Sequence, residues 1–369
     1  MNAARARKRQ PKAASTAKRA ESRDLVYGLG ASGLSIARYL ARNDKNAIYV
    51  DTRDTPPGLD ALKELQPGAD VRLGAPENSV LDSVGRIIVS PGIPESDALL
   101  GSARRKNLSI LSDIALFVEE AKAPIVAITG SNGKSTVTTL VALMCEAAGM
   151  RSLAGGNLGT PALDLLAEEQ PDVYVLELSS FQLQRTPKLP ARVAVLLNIS
   201  PDHLDWHATF DEYCEAKFRI FDEAESVVFN REDAAIAGRV PSVTPSISFG
   251  LDKPGDGHYG IVSEDGQAFL ARGDQILLST EEMALVGAHN HANALAALCA
   301  GELLGLELSP MLQVLNEFPG LPHRNQFVRE RNGVTYTKDS KATNVRAAAP
   351  SSESLPGLDL LLAGGDGKG

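Results

Sequence analysis

The chain alternates short apolar runs with glycine turns and amphipathic stretches. "DLVYG" (24–28) carries a strand pattern, "SGLSIARYLARN" (32–43) a helix pattern and "AIYVD" (47–51) the next strand. "RIIVSPG" (86–92) is a strand running into a turn. "APIVAITG" (123–130) is a strand, and "KSTVTTLVALMCEAAG" (134–149) is a helix closed by Gly149, a residue suited to a helix C-terminus. "DVYVLELSS" (172–180) and "VAVLLNIS" (193–200) are apolar and β-branched without alternation, as strands buried on both faces are. "HNHANALAALCAGELLG" (289–305) is a further helix. Strands and helices in turn predict an α/β architecture with parallel sheets.

Two glycine motifs about 100 residues apart divide this pattern. Gly28, Gly30 and Gly33 follow a strand and open a helix, and Asp51 ends the next strand. That spacing fits a dinucleotide fingerprint: a tight turn, close backbone approach to a phosphate, and an acid for a ribose. Taken alone it suggests an NAD-dependent oxidoreductase, a Rossmann-like pocket for another nucleotide, or simply a turn that packs a helix. Thr52 and Arg53 add donors beyond a ribose acid and lean toward the second reading.

"ITGSNGKST" (128–136) resembles a phosphate loop, yet Ile128 stands where the early glycine of G-x-x-x-x-G-K-[ST] belongs. Its setting between an apolar strand and a helix points to anion binding by backbone N–H groups and the helix dipole. Lys134 is placed for the β/γ oxygens of a nucleoside triphosphate and Ser135 for Mg²⁺. Glu177, Asp202 and His203 follow later strands, where α/β sheets bind ligands. A carboxylate and an imidazole near Ser135 could complete a Mg²⁺ shell, although Mg²⁺ prefers oxygen. Taken by itself, His203 reads as a hydrogen-bonded surface histidine; its pairing with Glu177 turns the reading toward a ligand.

Bulk properties narrow the class. The 369 residues suggest two or three domains. The formal charge is −9, but residues 1–23 carry eight Lys/Arg against one Glu, or +7, which leaves −16 for the remainder. An acidic body argues against nucleic-acid binding. The basic head lacks an apolar core, so it is no secretory signal. Its composition resembles a transit peptide, and a disordered tail is the reading taken. No run of 18 apolar residues occurs, so no membrane insertion is expected. Cys145, Cys214 and Cys299 show neither metal nor disulfide spacing, which fits a cytoplasmic protein.

Taken together, "GLGASG", "VDTR", "VSPGIP", "ITGSNGKST", "GGNLG", "LELSSFQL", "NISPDHLDWH", "HNHANALAA", "GLPHRNQFV", "DSKATN" and "LLAGGDGKG" resemble the Mur ligase family. They run in the family's order from residue 28 to the end. "DTR", "LELSSFQL" and "DSKATN" point to its glutamate-adding branch. The family's loop lacks the early Walker glycine, which accounts for Ile128.

The resemblance implies a three-domain architecture. After the tail at 1–23 come a Rossmann-like UDP-substrate domain (24–117), a central P-loop ATPase domain with a mainly parallel sheet (118–320), and the start of a Rossmann-like glutamate-binding domain (321–369). "LDLLLAGGDGKG" is a strand entering a glycine loop, where chains rarely stop, so a longer native chain is expected and this one is expected to turn over poorly.

The implied reaction is ATP-dependent addition of D-glutamate to UDP-N-acetylmuramoyl-L-alanine through an acyl phosphate, in peptidoglycan precursor synthesis. The partners are those three small molecules, and a monomer is expected. Gly30, Ser32, Asp51, Thr52, Arg53, Ser90 and Asn157 are implied at the UDP substrate. Gly130, Asn132, Gly133, Lys134, Ser135, Thr136, Asn290, Asn293, Arg324 and Asp339 are implied at ATP. Ser135, Glu177, His203 and Lys217 would hold two Mg²⁺ ions, Lys217 as a carbamate; the residue type alone would make it a solvated helix lysine. Lys134, His203, Lys217 and Lys341 would serve the chemistry, and Thr343 and Lys368 the glutamate. A nucleotide-binding relative that has lost activity is the non-enzymatic alternative. Ser131, Trp206 and Ala115 depart from the family's usual threonine, arginine and acid.

Overall fold

The computed structural model describes residues 23–340 apart from 158, 205, 243, 323–325 and 333, together with Gly364. The basic tail read at 1–23 therefore lies outside the described residues except for Arg23, as do the strand and glycine loop read at 358–369 except for Gly364.

The amino-terminal part is built from β1 (Arg23–Tyr27), α1 (Ala31–Arg42), β2 (Ala47–Asp51), α2 (Leu59–Leu65), β3 (Asp70–Leu73), β4 (Val84–Val89), α3 (Ala98–Arg105) and β5 (Ser109–Leu111). Its sheet runs β3-β2-β1-β4-β5 and every pairing is parallel. Side chains along β1 alternate between two cores, Leu25 and Tyr27 on one face and Val26 on the other. Both faces are covered, so the strand reads as a continuous apolar run. The helix α4 (Asp113–Glu120), capped by the Ser112 hydroxyl on the Ala115 N–H, leads to the second sheet.

That sheet begins with β6 (Ile125–Thr129), α5 (Lys134–Ala147), β7 (Ser152–Gly156), α6 (Ala162–Leu165), β8 (Val173–Glu177), α7 (Ser180–Gln184), β9 (Val193–Leu196) and α8 (Phe210–Phe218). It continues through β10 (Val227–Asn230), β11 (Ser246–Phe249), β12 (Tyr259–Glu264), β13 (Gln267–Arg272) and β14 (Gln275–Ser279) to α9 (Ala288–Leu304) and α10 (Leu308–Glu317). The strand order is β14-β13-β12-β11-β10-β9-β6-β8-β7, parallel except for the two pairings among β12, β13 and β14. β6 sits centrally, with β8 and β9 beside it. A hairpin of β15 (Gln326–Arg331) and β16 (Val334–Lys338) follows.

The apolar runs predicted as strands and helices fall on β1, β2, β4, β6, β8, β9, α1, α5 and α9, within a few residues. The antiparallel extension is new. Its turn at Asp265–Gly266 has φ of 50° and 83°, the left-handed pair that a tight hairpin needs. An Asp-Gly between alternating residues was thus the available signal.

One core lies on the inner faces of both sheets and joins Ile36 and Leu40 of α1, Phe117 of α4, Leu163 of α6 and Tyr213 of α8. A second places α5, α9 and α10 on the other face of the larger sheet. Polar contacts reinforce the first: Arg38 pairs with Asp164, and Arg42 donates to Leu163 O at 2.9 Å. Packing of α1 on α6 thus fixes the first sheet against the second.

The first glycine turn depends on close backbone approach. A Cβ at Gly33 would stand 1.9 Å from Gly28 O, whereas one at Gly30 would meet nothing within 4 Å. Gly33→Ala is therefore expected to cost roughly 3 kcal/mol by forcing the turn apart, and Gly30→Ala to stay within about 0.5 kcal/mol of the parent. Denaturant unfolding of both variants checks this, and equal midpoints would refute it.

Candidate active site

Residues Gly130–Gly133 connect β6 to α5, so the start of α5 lies at the strand ends, where its first N–H groups suit an anion, while the Ser131 N–H is held by Asn198 O at 2.9 Å. Gly133 has φ of +83°, and a Cβ there would come within 2.3 Å of Asn293 Oδ1. Glycine is needed both for the turn and for the approach of α9. Asn293 in turn donates to Asn290 Oδ1 at 3.3 Å, and Asn290 to Val286 O at 2.8 Å.

Neighbouring residues clamp the loop. Asn132 N donates to Asn198 Oδ1 (2.8 Å), and Asn198 Nδ2 returns a bond to Asn132 O (3.0 Å). The Ser131 hydroxyl donates to Ser200 O (3.1 Å), accepts from Ser200 N (2.9 Å) and lies 2.7 Å from the Tyr213 hydroxyl. The serine that departs from the family's threonine thus holds the loop to the end of β9. Thr136 is buried in the first turn of α5.

Two lysines share one acceptor. Lys134 Nζ donates to Gly130 O and Ser131 O, each at 2.9 Å. Lys217 Nζ, from α8, donates to Gly130 O at 2.8 Å and Thr129 Oγ1 at 3.3 Å, and lies 4.8 Å from the centre of the Tyr213 ring. Only 2% of Lys217 is exposed, so it is no solvated helix lysine. Burial and then the Lys134 charge push its amine well below the ordinary lysine value, against the pull of Asp202 and Glu177.

Glu177 ends β8 and is buried. Its Oε2 accepts from Ser135 Oγ and its Oε1 from Asn157 Nδ2, both at 2.7 Å. Asn157, implied at the UDP substrate, therefore lies beside the P-loop. Asp202 and His203 follow β9. The His203 ring packs edge-on against Phe181 at 4.9 Å, its Nε2 is 3.7 Å from Asp202 Oδ2, and its φ is +54°. Among the described residues no cluster of three or more His, Cys, Asp or Glu side chains could hold a metal alone. A hydroxyl and one buried carboxylate at a phosphate loop still suit Mg²⁺, which keeps waters and phosphate oxygens in its shell.

In the first sheet Asp51 is 1% exposed. Oδ2 accepts from Leu29 N (2.7 Å) and Arg53 Nη2 (2.7 Å), and Oδ1 from Arg53 N (2.9 Å) and Nε (2.8 Å). Burial alone would raise its pKa; the bonds from Arg53 and Leu29 outweigh it and hold the carboxyl below its ordinary value. Ser90 Oγ donates to Gly28 O at 2.8 Å, fastening the glycine turn. Ser32 is half-buried and Thr52 exposed near the same strand ends. Asp339 directly follows β16. Arg324, Lys341, Thr343 and Lys368 lie outside the described residues.

Sequence reasoning missed Asn198, Tyr213 and Phe181. Asn198 and Phe181 fall inside quoted motifs at strand ends, which was the signal available for them.

Residues 22–112 match the Mur ligase MurD-like N-terminal domain, and residues 128–301 the Mur ligase middle domain. The chain belongs to the Mur ligase family. Among its relatives, the UDP-N-acetylmuramoylalanine--D-glutamate ligase of Pseudomonas aeruginosa is 51% identical over 350 residues, 94% of this chain and 78% of that one. The enzyme of the same name from Nitrosococcus oceani is 45% identical over 362 residues, 98% and 78% of the two chains. The solved UDP-N-acetylmuramate-alanine ligase of Thermotoga maritima superposes with a TM-score of 0.58 at 19% identity, covering 90% of this chain and 77% of that one. A pseudomurein peptide ligase type C from Methanothermus fervidus gives 0.56 at 20%, with the same coverage. These two show the fold alone: an α/β Mur ligase architecture with a parallel first sheet and a mainly parallel second one. Membership of the Mur ligases removes the nicotinamide reading of the first glycine motif. Among the described residues no helix is long and apolar enough to cross a membrane.

The Asp51 geometry sets a pH dependence. Its contribution to stability is complete above the unfolded carboxylate value near pH 4 and is lost as pH falls through the lower folded value. Arg53→Met is expected to raise that folded value and move the acid-unfolding midpoint upward in pH. Circular dichroism during acid titration measures it, and an unmoved midpoint would show that Arg53 does not hold the carboxylate.

Proposed function

We propose that this chain is the ATP-dependent ligase that joins D-glutamate to UDP-N-acetylmuramoyl-L-alanine, supplying a peptidoglycan precursor. The observation that carries the reading is the P-loop with its Ser135–Glu177 pair and two converging lysines, in a chain about half identical to ligases of that name.

A carboxylate is a poor acyl donor. In the proposed reaction the alanine carboxylate oxygen attacks the γ-phosphorus of ATP, the bond to the β–γ bridging oxygen breaks, and an acyl phosphate and ADP result. The glutamate amine then attacks the acyl carbon, phosphate leaves with its bonding electron pair, and the nitrogen gives up a proton. Such phosphoryl transfer depends mainly on positioning and charge neutralisation. The amides of Gly133 and the start of α5 cradle the phosphates, and Lys134 turns from its loop carbonyls to the β/γ oxygens. Asn290 and Asn293 border the nucleotide, with Arg324 and Asp339 assigned to it from the C-terminal segment.

Ser135 and Glu177 would hold one Mg²⁺, and His203 and Lys217 a second; the metal would neutralise charge on the phosphoryl group. Lys217 fits a carbamate because an amine kept neutral by burial is the form that reacts with CO₂, and the product is an oxygen ligand. Lys341 is assigned to the acyl centre, Thr343 and Lys368 to glutamate. The UDP part is assigned to Gly30, Ser32, Asp51, Thr52, Arg53 and Ser90 at the strand ends of the first sheet, with Asn157 toward the sugar. A cytoplasmic monomer is the working state.

Phosphate release from ATP is expected to require both UDP-N-acetylmuramoyl-L-alanine and D-glutamate; release independent of either would sink the assignment. Lys134→Ala should lower turnover at least ~10²-fold and leave the substrate Kd, read by calorimetry, within about twofold. A parallel loss of substrate binding would remove Lys134 from the ATP site.

A further inference from the structure

Arg185 immediately follows α7 in the central part of the chain, yet its side chain is spent on the first sheet. The residue is 5% exposed. Nε donates to Glu95 Oε1 at 2.5 Å, Nη2 to Ile93 O at 2.6 Å and Nη1 to Ser90 O at 3.4 Å. All three acceptors belong to the turn "SPGIPE" that follows β4. The backbone is engaged as well, since Arg185 O accepts from Ser112 N at 3.0 Å. Glu95 is held from its other side by Arg104.

The opposite side of the guanidinium faces Trp206, 5.7 Å from the ring centre. Trp206 packs on Phe181 at 4.4 Å, its backbone N–H donates to His203 O at 3.0 Å, and Phe181 touches the His203 ring. One planar cation therefore bridges the loop that fastens the first glycine turn, through Ser90, and the loop that carries His203. Burying a guanidinium is costly unless its donors are matched. A Pro-Gly-Ile-Pro turn has little ladder structure of its own, so a rigid fork from outside sets its shape.

We infer that Arg185 is a positioning residue that fixes the Ser90–Glu95 turn and, by way of Trp206, ties it to the His203 loop. It thereby sets the spacing between the UDP-substrate pocket and the ATP pocket. This rests on the assignment of those pockets above. Arg185 touches neither reactant in this account; it acts through Ser90, Ile93 and Trp206.

The test uses the full chain, with Arg185→Met to remove the fork and Arg185→Lys to keep charge without it. Hydrogen exchange is followed at the Ile93 and Asp97 amides, which bond to Ser90 O and Pro94 O within the turn, and at β6 and α5 as a reference. Calorimetry gives the Kd of UDP-N-acetylmuramoyl-L-alanine and of ATP. In Arg185→Met the turn amides should exchange at least tenfold faster with β6 and α5 unchanged. The substrate Kd should rise about tenfold while that of ATP moves less than twofold. Arg185→Lys should fall between, and it carries the test if the methionine variant does not fold. Unchanged exchange at the turn, or equal weakening of both ligands, would overturn the inference. If the parent protein binds no UDP substrate, the functional assignment fails instead, and the exchange result still decides whether Arg185 orders the turn.

Discussion

The carbonyl of Gly130 is the constraint on which the rest of the site depends. It accepts from Lys134 at 2.9 Å and from Lys217 at 2.8 Å. Two amines on one acceptor repel when both are charged, and the buried one is the cheaper to neutralise. The loop thus separates the lysines by character: Lys134, half-buried at the start of α5, and Lys217, sealed beneath the loop. For the carbonyl to reach both, Gly130 must lie against β9, where a Cβ would stand 2.9 Å from Leu197 Cβ. The glycine that departs from the Walker spacing is therefore a packing requirement of this particular loop.

The same economy governs how the sheets meet. α1 packs on α6, with Arg38 and Arg42 reaching Asp164 and Leu163 O. Ser112 before α4 contacts Thr186 just beyond α7, hydroxyl to hydroxyl at 2.7 Å. Asp113 is fully buried, accepts from Gln182, and has its carboxyl raised by burial. Gln182 also closes the capping box of α7 with Ser179. Short helices with weak intrinsic stability are in this way fixed by contacts across the sheet–sheet boundary.

The parallel strands were legible because both faces are covered and the pattern collapses to uninterrupted apolar runs, as in β6, β8 and β9. The strands β12–β14 at one end of the larger sheet were not, since half-exposed alternation resembles loop composition unless the Asp265–Gly266 turn is read as a hairpin. Lys134, Ser135 and Glu177 were legible from motif and position. The clamping by Asn198 and Ser131 was not, because the bonding depends on where β9 ends relative to β6, a matter of register rather than of residue type. Arg185 carries no motif at all; its role arises only when two sheets separated by many residues are brought together.

Each glycine loop has a buried carboxylate at the end of a strand beside its own: Asp51 on β2 next to β1, and Glu177 on β8 next to β6. Their partners differ in kind. Asp51 is saturated by two backbone N–H groups and the Arg53 fork, charge-assisted bonds that a ligand would have to break. Glu177 meets a serine hydroxyl and an asparagine amide, both neutral. Similar strand-end architecture therefore leaves Asp51 tied to a charged fork in the first sheet and Glu177 tied only to neutral donors in the second.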